Sequence, residues 1–186
     1  MKSTSRWIGC LVFLWVGFLL CGCHSRDAEG NSLNQYENGA TKALIRKLVP
    51  ILDEQIGLTA QQVHDGEKTY VVTLGEIVAG RDFTPISVKW MNELKQGKER
   101  WISASVVAAA EPNFTAVDPY TRAPVYVIQL RLLNEVTQGE WNVEVGLSYK
   151  NYYAKQQWKI NTQAEGYEVE LVKTLQRGEA TLPVKP

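Results

Sequence analysis

The sequence predicts an α+β domain: an N-terminal amphipathic helix packed on a curved antiparallel sheet of about six or seven strands. Three observations carry this. Apolar residues recur at helical spacing from Ala40 to Ile56. Beyond Lys68 the apolar period becomes two and stays so. Turn-forming residues then separate most of the alternating segments.

The chain opens with Lys2 and Arg6 and carries no charge from Trp7 to Cys23. The apolar stretch from Ile8 to Leu20 is about 13 residues long, the size of a signal-peptide core and short of the roughly 20 a membrane-spanning helix needs. Leu20-Cys21-Gly22-Cys23 follows. Leu20 is apolar, Gly22 is small, and Cys23 carries a thiol whose thiolate form is a nucleophile. These residues resemble the lipobox of bacterial lipoproteins. The resemblance covers the first 25 residues only and implies cleavage before Cys23, a diacylglyceryl thioether on its sulfur, and a further acyl chain such as palmitate. Two or more acyl chains anchor a protein stably where one is marginal. The resemblance therefore implies a lipid-anchored protein of the bacterial cell envelope. His24, rather than Asp, follows Cys23. That favours the outer membrane, facing the periplasm.

All three cysteines, Cys10, Cys21 and Cys23, lie in this leader. A chain beginning at lipidated Cys23 thus has neither disulfide nor free thiol, and packing alone must stabilise it. Loss of Lys2 and Arg6 from 20 basic residues, against 20 acidic residues all beyond position 22, leaves a net charge of −2. Neither that balance nor any basic cluster makes a case for binding nucleic acid.

The organisation reads as a signal peptide over 1–22, the lipidated cysteine and a flexible tether over 23–39, one domain over 40–175, and a C-terminal tail over 176–186. In the helix, Leu44, Leu48 and Leu52 recur every four residues and Ile45, Val49 and Ile56 widen the stripe. Pro50 predicts a kink or a break, and Gly57 a C-terminal stop. Thr59 and Gln62 have capping-box spacing for one further short turn.

Seven strands are expected, within residues 69–78, 84–91, 100–110, 124–135, 140–150, 152–160 and 167–175. The last four come close together and predict an antiparallel meander. A 14-residue loop with three prolines, Glu111–Pro124, interrupts the series. Ile86, Val88 and Trp90 are expected on one inward face, as are Trp141, Val143, Val145, Leu147 and Tyr149. Tyr152, Ala154, Trp158 and Ile160 form a third such set, and Tyr167, Val169, Leu171 and Leu175 a fourth. Helix-on-sheet folds of the cystatin-like and NTF2-like kinds have this layout, an analogy of architecture alone.

The residues offer little for catalysis. His64, with Asp65 and Glu67, is the one histidine–carboxylate cluster, and it reads as a solvated helix end. No catalytic residue, metal ligand or cofactor is expected: zinc-ligand spacings, a phosphate loop and a nucleophile elbow are all missing. Glu140 with Glu144 and Glu168 with Glu170 share strand faces, where solvation is the plainer account. The second face of the sheet mixes Met91, Trp101, Val107, Val125, Val127, Tyr153 and Val172 with Lys89, Ser103, Ser105, Gln129, Arg131, Lys155 and Lys159. That face is either a half-apolar groove or a second core. As a groove it makes Trp101, Val125, Val127 and Tyr153 the candidate binding residues, with an envelope protein or peptide as partner. The expected function is a non-catalytic binding or scaffold domain. The alternative is a small-molecule carrier or periplasmic enzyme with a pocket between helix and sheet.

Lipidation carries its own prediction. Cys23→Ala should leave the chain unprocessed or soluble when membranes are fractionated, and a normally processed, membrane-held variant would refute acylation at that residue.

Overall fold

The structure is a computed structural model that describes residues 36–63, 66–74, 84–97, 99–110 and 115–180. The lipobox, most of the tether, His64, Asp65 and the tip of the 111–124 loop lie outside them. The fold is α+β, with one interrupted helix against a mixed sheet of seven strands that does not close into a barrel.

Helix α1, Gly39–Leu48, begins at Asn38, whose Oδ1 accepts from the Thr41 amide at 2.9 Å while Thr41 Oγ1 accepts from the Asn38 amide. Arg46 and Lys47 occupy its last turn, where cations suit the helix dipole. Pro50, which can neither donate an amide nor fit an α-helix interior, turns Val49–Ile51 into a 3-10 segment. Helix α2, Leu52–Ile56, resumes and ends at Gly57 with φ 86°, a conformation that glycine adopts without strain. The break falls where the sequence places it. The ordered domain starts earlier than Ala40, because Tyr36 is fully buried and Asn38 is the cap.

The strands are β1 (Thr69–Leu74), β2 (Thr84–Pro85), β3 (Arg100–Trp101), β4 (Ala108–Ala110), β5 (Thr115–Val117), β6 (Tyr126–Thr137), β7 (Glu140–Tyr149), β8 (Tyr152–Gln163) and β9 (Gly166–Glu179). The main sheet runs β2-β1-β6-β7-β8-β9, with β3 also on β1 and β4–β5 a separate hairpin. Strands β6 to β9 form the expected antiparallel meander. Strand β1 departs from an antiparallel sheet: it pairs parallel to β6 and to β3. The long excursion between β1 and β6 is the crossover a parallel pair requires. Strand β9 also takes in Gln176–Glu179, assigned by sequence to the tail, because β8 pairs with it as far as Tyr152↔Glu179.

Two expected strands are corrected. Residues 84–91 hold only the two-residue β2 before helix α3, Val88–Leu94. Ser87 caps that helix by accepting from the Trp90 amide at 3.2 Å, and Glu37 fixes the cap by accepting from the Ser87 hydroxyl at 2.7 Å. The apolar repeat there is Ile86, Trp90 and Leu94, one helical turn apart and all buried, while Val88 is 62% exposed. Residues 100–110 are likewise divided into β3, a 3-10 turn at Ala104–Val106 capped by Ser103, and β4.

The core lies between the helices and one face of the sheet. Leu44, Ile45, Leu48, Leu52 and Ile56 meet Val72, Ile128, Leu130, Val143, Val145, Trp158 and Ile160 there. Burying each of these aliphatic side chains contributes about 1.5–3 kcal/mol. Gln156 is wholly buried on the same face: its Nε2 donates to Gln55 Oε1 at 2.7 Å and its Oε1 accepts from Trp158 Nε1 at 3.0 Å. This polar contact fixes α2 against β8 in one register, since any slip strands buried donors. Strand β9 delivers less than its pattern promises. Val169 is buried, but Tyr167, Leu171 and Leu175 are each about two-fifths exposed.

Helix α3 is directly testable. Leu94→Ala should cost about 2–5 kcal/mol in urea unfolding. Val88→Ala should change stability by less than about 0.5 kcal/mol. A strand through 84–91 would make Val88 the costly position.

Candidate functional site

The face of the sheet away from the helices is divided. Over β1 and the start of β6 it is covered by the crossover: Val71, Ile102, Ala104, Val125 and Val127 form a second buried cluster, flanked by Val107 and Ala116. Over the rest of β6 and over β7 and β8 it is open. Gln129, Arg131, Asn142, Glu144, Ser148, Tyr153, Lys155, Gln157 and Lys159 are all half-buried there.

Gly146 lies at the centre of this open half, paired with Gln129 on β6 and with Lys155 on β8. A cleft of about 140 Å³ adjoins it, lined by Gln129, Arg131, Ser148, Tyr153, Lys155 and Gln176. A Cβ at this position would meet Gln129 Oε1 at 2.7 Å and Arg131 Cδ at 3.4 Å. The register of β6 shifts between Leu130 and Leu132, so Arg131 is the extra residue of a bulge. Bulges re-aim side chains, and this one brings Arg131 over the glycine.

The lining is polar and internally ordered. Gln176 Nε2 donates to the Tyr153 hydroxyl at 2.9 Å, and the Tyr153 ring rests against Gly178 on β9. Glu144 Oε1 holds Lys155 Nζ at 2.8 Å and Arg131 Nε at 3.6 Å, so two cations share one carboxylate. Glu140 pairs with Lys159 at 2.9 Å alongside. The face thus offers amide and hydroxyl groups, an aromatic ring and ion-paired Arg and Lys side chains. Such a face is suited to holding a polar segment by many weak contacts.

The four residues singled out from sequence do not share a surface. Trp101 belongs to the main core, its ring 5.2 Å from that of Tyr70. Val125 and Val127 are each 1% exposed beneath the crossover. Only Tyr153 lies on the open face. Alternation along β6 and β8 also assigned Gln129, Arg131 and Lys155 to that side. It missed Ser148, Gln176 and Gly146, although a lone glycine inside a strand is itself a signal of close approach.

Two other groupings have perturbed chemistry. Trp101, Tyr70, Tyr126, Tyr149 and Tyr152 form one row across β3, β1, β6, β7 and β8. The Tyr126 and Tyr149 rings stack at 4.1 Å, and Tyr126 donates to Asp53 Oδ1 at 2.6 Å. Lys68 completes an ion pair with Asp53. Burial first, then Asp53 and Glu99, push the Tyr70 hydroxyl up to about 12. Burial and the hydrogen bond to Asp53 raise Tyr126 as well. Protonated and packed at neutral pH, these phenols are a wall of the core rather than acids or bases in use.

Asp118 is fully buried, accepting from the Tyr120 amide at 2.9 Å and pairing with Arg100 Nε at 2.9 Å. Burial alone would raise its carboxyl, but the Tyr120 and Thr121 amides and the Arg100 guanidinium outweigh it and hold it below the usual range. It ties the turn after β5 to β3. Among the described residues, no group of three or more His, Cys, Asp or Glu side chains could hold a metal ion.

The aromatic row sets a pH dependence. Tyrosine hydroxyls raised in the folded state stabilise it fully below the unfolded value of about 10. That contribution is lost as pH rises from there through the folded value. Alkaline unfolding should therefore begin between about pH 10 and 12 with tyrosinate absorbance appearing in the same transition. In Tyr70→Phe the loss of stability over that window should shrink, and an unchanged profile would remove Tyr70 from the account. Comparison of the chain with protein-family models, with curated proteins and with solved structures found no match.

Proposed function

We propose that this chain is a lipid-anchored envelope protein whose domain is a non-catalytic binding or scaffold module, holding a polar protein segment on the open sheet face around Gly146. One observation carries the reading: long polar side chains from β6, β7, β8 and β9 converge on a backbone position left bare by glycine. Multiple amide and hydroxyl contacts with one aromatic ring suit an extended peptide or a protein loop. A carrier or enzyme with its pocket between helix and sheet is less favoured. That space is filled by Leu44, Leu48, Leu52 and Trp158.

Native mass spectrometry of the full-length chain, extracted from its own membranes in mild detergent, tests the reading. Wild type should carry a further non-covalent polypeptide mass. Gly146→Val, which fills the cleft, and Tyr153→Ala, which removes its ring, should each lose that mass while keeping wild-type circular dichroism. A bare wild-type chain, or a partner retained equally by both variants, would move binding off this face.

A further inference from the structure

Strand β9 is an edge. It pairs with β8 on one side and, among the described residues, has no strand on the other. It is also where exposed apolar surface collects. Of the eight large hydrophobic side chains exposed among the described residues, Tyr167, Leu171, Val172 and Leu175 all belong to this 14-residue strand. Soluble domains usually blunt such an edge with charge, bulges or a covering element. Here the register shifts against β8 leave Val172 and Leu175 as the extra residues of two bulges.

Along β9, Glu168 and Glu170 occupy the N-terminal half and Lys173 and Arg177 the C-terminal half, with Glu179 at its last position. A parallel neighbour of the same sequence would set like charges side by side, which is destabilising. An antiparallel neighbour reverses the order and sets the acidic half against the basic half twice over. Lys47 on α1 already donates to the Val169 carbonyl, which places the centre of any pairing beyond that residue. With the centre between Leu171 and Val172, Glu170 of each copy faces Lys173 of the other. Leu171 likewise faces Val172.

We propose that β9 is a self-association edge: two copies of this chain pair through it antiparallel about a two-fold axis, continuing the sheet from one copy into the other. The contact is isologous, so it closes at two copies and builds no fibre. It covers the exposed Leu171 and Val172 with their own counterparts. A single strand pair is a small interface, and the dimer is accordingly weak.

Sedimentation equilibrium of the full chain in density-matched detergent reads the outcome. Wild type should show a monomer–dimer equilibrium. Val172→Lys, on an exposed position, should weaken it at least about tenfold with circular dichroism unchanged. Glu170→Lys and Lys173→Glu should each weaken it comparably. The double variant Glu170→Lys/Lys173→Glu, which inverts both sides of each contact, should restore it. Tyr120→Lys, at a 79% exposed position away from β9, should leave dimerisation untouched. A chain monomeric up to about 100 µM would overturn the proposal, as would a dimer indifferent to Val172→Lys. A double variant no better than the singles would overturn the antiparallel arrangement. Failure here leaves the reading of the Gly146 face standing, because the two tests use different residues and different readouts.

Discussion

The contact on which the rest of this molecule depends is the seating of one broken helix on the face of the meander. Leu44, Ile45, Leu48, Leu52 and Ile56 are an apolar stripe that must be buried, and β6, β7 and β8 present the complementary side chains. With no cysteine among the described residues, this contact and the Gln55–Gln156–Trp158 network beneath it hold the two layers together. Because the helices commit to one face, the opposite face is free of that duty. The crossover closes part of it over Val125 and Val127, and the remainder stays polar and open.

That division explains the character of the candidate site. A sheet face that is neither core nor bulk solvent collects long polar side chains lying against one another, half-buried and ion-paired. Surface ion pairs of this kind contribute little to stability, typically under about 1 kcal/mol. Their effect here is positional. Glu144 restrains Lys155 and Arg131 beside Gly146, and Gln176 restrains Tyr153, so these side chains have already lost much of their freedom.

The helix was legible in detail, down to the interruption at Pro50 and the stop at Gly57, because both follow from the local chemistry of those residues. Strands β6 to β9 were legible because alternation is strong and their turns are short. The reading of 84–91 went wrong because Ile86, Val88 and Trp90 fit a period of two as well as Ile86, Trp90 and Leu94 fit a turn of helix. The deciding element was the Ser87 cap held by the distant Glu37. The parallel placement of β1 is a non-local choice that no window of sequence displays. At the site, alternation put Tyr153, Val125 and Val127 on the same side correctly. What it could not show was the crossover lying over the two valines. In β9, two bulges break the alternation, so only Val169 of the expected inward set is fully buried.

The parallel pairing of β1 has a consequence for how the domain is made. Tyr70 pairs with Tyr126, 56 residues further along the chain. A polypeptide emerging N-terminus first therefore exposes α1, α2 and β1 long before the strands they pack on are present. Helix α1 cannot bury its stripe until β8 and β9 have followed. The last-made hairpins are the most local and able to form on their own, and the first-made elements must wait to dock on them. Any factor that engages the chain while it is being made therefore meets these first elements undocked. The exposed stripe of Leu44, Ile45 and Leu48 is the segment a holding chaperone would meet in the interval.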